Sequence, residues 1–263
     1  MRNSLLSCVA ALLLLAGCNQ ADMMASFVPA KEDAEARLYI QQLHNKEFEK
    51  IEERFDAVAR TPDMRATLEK MSALIPAGPP RSIRTVGAYT FKSNDSESVK
   101  LTYELEYPST WLLIYAVIET KAGSRYLAGL HVMPEADSVE NRNRFSLKGK
   151  SFLQYAFLVL AIVAALFTLV TLFVCIRTRP LKRKWLWIIG ILTGFGVFGV
   201  NWTSGEVFFE STSFQFFSAA AYAAPFSPWI VSFSIPVFAF AFWDKRRRIL
   251  REARAEAVQP GTD

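Results

Sequence analysis

The chain has 263 residues, of which 51% are hydrophobic, and a formal net charge of +5. It is too apolar for a disordered protein and too long for a small disulfide-rich module, so we expect one folded domain plus membrane helices. The charge does not indicate nucleic-acid binding, because residues 19–150 hold 18 Lys and Arg against 19 Asp and Glu. The positive excess lies in short clusters beside apolar segments, which is typical of membrane-flanking charge.

The start of the chain is typical of a bacterial export signal. One positive residue, Arg2, precedes an apolar run that ends in Leu15-Ala16-Gly17-Cys18. The run is too short to cross a bilayer but has the length of a signal-peptide core. The tetrapeptide resembles the lipobox of bacterial lipoproteins, which implies a signal peptide over residues 1–17, a lipid on Cys18 and a tether over residues 18–30. The alternatives are an ordinary secretory signal with a chance cysteine and an uncleaved anchor.

The cysteine and histidine content argues against metal or disulfide chemistry. Cys8 belongs to the signal, Cys18 is the lipidation site, and Cys175 lies in an apolar segment, so no disulfide is expected in the exported region. His44 and His131 are the only histidines, whereas structural metal sites need clusters of ligands. We expect neither a metal nor another cofactor.

Residues 31–150 are predicted to form an exported α+β domain. Apolar spacing near 3.6 predicts helix from Lys31 to Arg60, divided at His44-Asn45, and a further helix from Thr61-Pro62 to about Ile75. Alternating and apolar runs then predict strands at Arg84–Phe91, Val99–Tyr107, Trp111–Ile118 and Arg125–Met133. The prediction is a set of N-terminal helices packed on an antiparallel meander.

Two tight hairpins would fix the register of this sheet. They pair Tyr107 with Trp111 and Glu119 with Tyr126, which places Tyr103 opposite Tyr115. Tyr103, Tyr115 and Trp111 then form a candidate pocket on the helix side. The other face becomes a candidate partner surface, comprising Glu104, Leu112, Ile114, Ala116, Ile118, Leu127, Gly129 and His131. Burial of that face under residues 135–144 is the alternative.

The order of helices, proline-rich break and meander over Lys31 to Pro134 resembles the nuclear-transport-factor-like, or cystatin-like, fold. The resemblance implies a cone-shaped pocket, and the superfamily includes isomerases, dehydratases and many non-enzymatic binding domains. Its active members use an Asp/His or Tyr group inside the cone. Here the candidates that face the cone include no carboxylate, so no catalytic residue is predicted.

Three apolar segments behind this domain are predicted to be transmembrane helices, at residues 151–177, 185–201 and 225–244. The first contains Gln154 as its only strongly polar side chain between Phe152 and Ile176. Glycines at positions 190 and 194 of the second indicate close helix packing.

The charges around these segments predict their orientation. Positive residues are concentrated in residues 178–184 and in the tail, residues 245–263, whereas residues 202–224 have none. By the positive-inside rule the first two regions are cytoplasmic and the loop over residues 202–224 is external, together with residues 18–150.

These features predict a non-enzymatic protein of the bacterial cytoplasmic (inner) membrane that contacts membrane lipid. Its exported domain would bind a protein partner, a second copy of itself or a small apolar ligand. One alternative is an enzyme acting on a hydrophobic or envelope-derived substrate, with Tyr103 and Tyr115 as proton donors. The other is an accessory subunit of a membrane transport or assembly complex, which the glycine-rich second segment favours.

The lipobox predicts that Cys18→Ser abolishes lipid attachment. Cells expressing the wild type and fed a clickable palmitate analogue should yield a labelled protein that lacks its first 17 residues, whereas the variant should stay unlabelled and unprocessed. Cys175→Ser is the control and should label like the wild type. Equal labelling of the wild type and Cys18→Ser would contradict the interpretation.

Overall fold

The computed structural model of the protein describes Met24 and residues 28–56, 60–179 and 181–258, with side chains up to residue 252. The predicted signal peptide, Cys18 and most of the tether lie outside this part of the chain. The chain divides into two compact units, Met1–Arg142 and Asn143–Asp263.

The first unit begins with three helices: α1 at Ala30–His44, α2 at Phe48–Glu52 and α3 at Met64–Ala73. The predicted break after His44 is confirmed. Asn45 caps α1 in a right-handed conformation, and Lys46 takes the left-handed one at φ 60°. Helix α2 is shorter than predicted because the chain turns after Glu52.

Four strands follow: β1 at Ser82–Lys92, β2 at Ser96–Glu106, β3 at Trp111–Lys121 and β4 at Ser124–Glu135. All neighbours are antiparallel in the order β1-β2-β3-β4, so the predicted α+β meander is confirmed. The short helix α4, Val139–Asn143, comes after the last strand.

The register between β2 and β3 differs from the prediction by one residue. Trp111 lies opposite Glu106 rather than Tyr107, so Tyr103 faces Ile114 across the strands instead of Tyr115. The reason lies in the turn, where the Tyr107 N–H donates to the Thr110 carbonyl and takes Tyr107 out of the ladder. A slip of one residue moves every β3 side chain to the opposite face of the sheet.

The pairing of β3 with β4 is confirmed at one end only. Glu119 lies opposite Tyr126 as predicted, but an irregularity between Val117 and Ile118 shifts the remainder, so that Tyr115 faces His131. A bulge of this kind inserts one unpaired residue and is not visible in the alternation of apolar residues.

The core of the first unit lies between the helices and one face of the sheet. Helix α1 contributes Ala36, Tyr39, Ile40 and Leu43, whose spacing of three and four residues places them on one side. The sheet contributes a set of residues that are at most 3% exposed: Val99, Leu101, Tyr103, Leu105, Leu112, Ile114, Ala116, Ile118 and Leu127.

The observed register predicts that a lysine costs different amounts of stability at two positions of β3 that lie on opposite faces of the sheet. Ile114→Lys places a charge where the side chain is 0% exposed, and we expect it to destabilise the first unit by about 4 kcal/mol. Val117→Lys, half-buried on the opposite face, should cost less than about 1 kcal/mol. Hydrogen-exchange protection of the β3 amides in the full-length protein measures both, and equal losses would contradict the register.

The second unit begins with one long apolar helix. Helix α5 spans Phe152–Arg177, and Ser151 and Gln154 form a capping box at its start. Its 26 residues have a length of about 39 Å, which exceeds the thickness of a bilayer's hydrocarbon core. Within the described residues it is the one helix long and apolar enough to cross a membrane.

The second predicted membrane helix is wrong. Residues 185–201 comprise nearly all of a short helix, α6 at Lys184–Leu192, and the strand that follows it directly, β5 at Thr193–Asn201. Glycine is a poor helix former, and residues 193–201 contain three glycines among β-branched and aromatic residues, which favour a strand. Apolar composition alone does not distinguish the two structures.

The third predicted membrane helix is also wrong. Strand β8 covers Ile230–Ile235, and Pro236 then separates it from helix α7 at Val237–Val258. Proline lacks an N–H and fits the start of a helix but not its interior, so the segment cannot continue through Pro236 as one regular helix. Residues 202–224, predicted as a loop, contain strands β6 at Val207–Phe216 and β7 at Ala219–Tyr222.

The four strands of the second unit form an antiparallel sheet in the order β6-β5-β8-β7. Ala161 of α5 packs in one cluster with Val200 of β5, Val231 of β8 and Trp202, which directly follows β5. Gly190 and Gly194, which the sequence indicated as helix-packing positions, each lie close to a neighbouring side chain. A Cβ on Gly190 would lie 2.8 Å from the Phe238 ring of α7, whereas one on Gly194 would overlap the Ser234 hydroxyl of β8.

Candidate functional site

The predicted partner surface does not exist as one exposed face. Its members Leu112, Ile114, Ala116, Ile118 and Leu127 are at most 1% exposed and pack in the core beneath the helices. Glu104, Gly129 and His131 lie on the other face, because the register between β2 and β3 is shifted by one residue. Five of the eight residues are therefore structural.

The predicted pocket residues are likewise separated. Tyr103 points into the core and is 0% exposed, whereas Trp111 and Tyr115 belong to the opposite face. On that face the Tyr115 ring lies 6.3 Å from the His131 ring and 5.2 Å from the Lys100 ammonium nitrogen. Tyr103 and Tyr115 thus cannot act on one substrate.

The Glu104 carboxylate is buried and fully engaged by neighbouring donors. Its side chain is 1% exposed, and its Oε2 accepts hydrogen bonds from Arg84 Nη2 at 2.6 Å and Arg84 Nε at 3.2 Å. The Val139 N–H donates to Oε1 at 2.5 Å. The segment after β4 thus covers Glu104, whereas the apolar residues of the predicted surface are buried under the helices rather than under residues 135–144.

A polar network joins α1 to the helix-facing side of the sheet. The Tyr103 hydroxyl donates to Asp33 Oδ1 at 2.8 Å, and Arg37 Nε donates to Asp33 Oδ2 at 2.8 Å. The Arg37 guanidinium also donates to the Thr85 hydroxyl and lies 5.1 Å from the centre of the Tyr103 ring. Burial and the Asp33 carboxylate raise the pKa of Tyr103, so this hydroxyl stays protonated and acts as a hydrogen-bond donor.

Beside this network lies a cavity of about 470 Å³. Its walls come from α1, from the proline-rich segment after α3 and from the first two strands. The apolar side chains that line it are Ile40, Ile75, Pro79, Pro80, Ile83, Leu105 and Tyr107. The polar ones are Arg37, Gln41, His44 and Asn45, all on or beside one face of α1.

The chemistry of this cavity suits a ligand that is mostly apolar with a polar or anionic end. Ile40, Leu105 and Tyr107 are at most 5% exposed, so the floor of the cavity is formed by residues of the hydrophobic core. Burial raises the pKa of Tyr107, which keeps its hydroxyl neutral at ordinary pH. Among the described residues that line the cavity no carboxylate occurs, and Arg37, whose Nε pairs with Asp33 beside the cavity, supplies the guanidinium.

The sequence did not point to this site, although one signal was available. Asp33 and Arg37 are four residues apart on a helix, a spacing at which opposite charges pair. The remaining lining residues come together only because the helix, the proline-rich segment and the strands pack against one another. Among the described residues no three His, Cys, Asp or Glu side chains are grouped so as to hold a metal ion.

No protein-family model, curated protein or solved structure matches the chain.

The pKa of Tyr39 predicts how stability depends on alkaline pH. Burial and the neighbouring Glu35 carboxylate raise this pKa from 10.0 to about 12. Between these values the unfolded chain loses the proton and the folded one keeps it, so stability falls as pH rises through this window. Below the window the proton is bound in both states, and this group adds no pH dependence.

We expect Tyr39→Phe to lower stability slightly at neutral pH and to flatten the decline above about pH 10. The measurement is the midpoint of thermal unfolding of the full-length protein from about pH 9 to about pH 11.5. Tyr89→Phe, at a side chain that is 65% exposed, is the matched control. An identical slope in wild type and Tyr39→Phe would refute the assignment.

Proposed function

We propose that the chain is a membrane-anchored lipoprotein of the bacterial envelope whose first unit binds a small, largely apolar ligand and does not transform it. The observation that carries this proposal is the 470 Å³ cavity, whose volume lies in the range of small-molecule sites. Its apolar floor and its row of polar side chains from α1 fit an acyl or similar hydrocarbon group with a carboxylate or other anionic end.

Binding without catalysis is supported by the protonation and position of the polar groups. General acid–base chemistry needs a group whose pKa lies near the working pH. Among the described residues that line the cavity, His44 carries the one imidazole, and no carboxylate, serine, threonine or cysteine lines the cavity with it to complete a catalytic pair. Tyr103 is held protonated beside Asp33 and is fully buried, and it does not line the cavity. The Arg37 guanidinium can bind an anion but cannot act as a base.

Placement in a membrane is supported by the surface of α5. Its exposed apolar side chains recur along the helix, among them Val159, Val163, Leu166, Val170 and Phe173, all between 54% and 57% exposed. Apolar surface of this extent needs lipid or a protein cover. The basic residues that follow Arg177 favour a cytoplasmic location for the C-terminal end of α5, with the first unit outside.

The proposal predicts where a photoreactive fatty acid attaches. A diazirine-bearing palmitic acid, incubated with the full-length protein in mild detergent, should crosslink to peptides that contain Ile75, Ile83 or Tyr107. Ile83→Trp fills the cavity from its rim, where Ile83 is 40% exposed, and should reduce this labelling at least about fivefold.

Leu38→Trp is the matched control, because Leu38 is 43% exposed on α1 and does not line the cavity. It should label like the wild type. An unchanged yield in Ile83→Trp, or crosslinks spread evenly over the first unit, would show that the cavity is not a ligand site.

An uncharged alkyl diazirine tests the role of Arg37, and equal labelling by both probes would rule out recognition of an anionic end.

A further inference from the structure

A second pocket of about 310 Å³ lies in the second unit, between the end of α5 and the middle of α7. Three arginines line it: Arg177 at the end of α5, Arg179 just beyond it, and Arg246 on α7. The remaining walls are mostly apolar and include Phe173, Ile249 and Leu250. None of the described residues that line this pocket is acidic.

Two of the three arginines lie over aromatic rings. The Arg177 guanidinium lies 4.2 Å from the centre of the Phe173 ring, and that of Arg246 lies 5.5 Å from the Trp243 ring. Stacking of this kind fixes the plane of a guanidinium while leaving its N–H donors available. Asp244, the carboxylate nearest in sequence to Arg246, pairs with Arg248 at 2.7 Å.

The end of α5 would oppose an anion unless its carbonyl groups were occupied, because the C-terminus of a helix carries partial negative charge. Here the Lys184 ammonium donates to the Ile176 carbonyl at 3.0 Å. The Thr178 hydroxyl and N–H donate to the Val174 carbonyl, at 2.8 and 3.0 Å. These contacts offset the negative end of the helix and leave the arginines as the dominant charge.

The pocket continues into an exposed apolar stripe on α5. Leu166, Leu169, Val170, Phe173 and Ile176 are each between 47% and 56% exposed and follow helical spacing toward the arginines. We propose that this pocket binds one anionic glycerophospholipid, with its phosphate between Arg177, Arg179 and Arg246 and an acyl chain along this stripe. Paired N–H donors of arginine match phosphate oxygens, and basic pockets beside membrane helices suit anionic headgroups.

This inference rests on the proposed placement of α5 in a membrane, but not on the ligand cavity of the first unit. The test is native mass spectrometry of the full-length protein in mild detergent, titrated with dioleoyl phosphatidylglycerol or with dioleoyl phosphatidylcholine. The wild type should bind one phosphatidylglycerol at least about tenfold more tightly than phosphatidylcholine.

The double variant Arg177→Gln/Arg246→Gln should lose that preference. Arg247→Gln/Arg251→Gln removes two charges from exposed positions of α7 outside the pocket and should keep it. Arg177→Lys/Arg246→Lys retains the charge and should fall between the two. Equal losses in the glutamine variants would overturn the proposal, because binding would then follow net charge rather than this pocket.

Two further outcomes separate the possible failures. Displacement of phosphatidylglycerol by millimolar inorganic phosphate would assign the pocket to a soluble anion and overturn the lipid proposal. A wild type that inserts into vesicles but does not distinguish the two lipids also overturns it, whereas one that binds neither lipid and stays monodisperse without detergent refutes the membrane placement itself. Ile83→Trp should leave phosphatidylglycerol binding unchanged.

Discussion

The fold of the first unit depends on which face of strand β2 packs against the helices. Leu101, Tyr103 and Leu105 face α1 and α3 and are at most 2% exposed. The opposite row contains Glu104, a carboxylate removed from water that is tolerated because Arg84 and the Val139 N–H bond to it. Reversing the strand would bury a row of polar side chains and expose the apolar row. The alternation of β2 therefore orients the whole sheet and, with it, the wall of the cavity.

Much of this unit follows from local sequence patterns. The helix break at His44, the stop at the proline-rich segment and the order of four strands all depend on neighbouring residues, and all were predictable. The register was not, because it depends on one hydrogen bond at Tyr107 and on one irregularity beside Val117. Each changes the facing of side chains without changing the hydrophobic pattern, so a partner surface was assigned to residues that form the core.

The candidate site was harder to predict than the fold. Its lining residues come from a helix, a turn and two strands, and no motif links Arg37 to Ile83 or Tyr107 along the chain. Only the pair Asp33 and Arg37 is visible as a local spacing. A binding cavity with few polar groups leaves little trace in a single sequence, because its apolar residues resemble those of any core.

In the second unit, hydropathy identified apolar segments but not their secondary structure. The alternation of Val231 and Phe233 with Ser232 and Ser234 has the period of a strand, and the proline that follows fixes where a helix can begin. Both signals were present in the sequence. An average over a long window conceals them, since it counts apolar residues without regard to their spacing.

The open sheet of the second unit has a consequence for assembly. Strands β6 and β7 are its two edges, so each presents peptide N–H and C=O groups on its outer side that the ladder does not use. Hydrocarbon offers those groups no replacement for water, and leaving them bare there costs several kcal/mol apiece. If α5 lies in lipid, the margins of this sheet must be covered by a neighbouring strand or another protein segment, because Thr168 near the middle of α5 donates to the Ser218 hydroxyl beside β7. A solitary copy immersed at mid-bilayer would therefore be destabilised at both edges of this sheet.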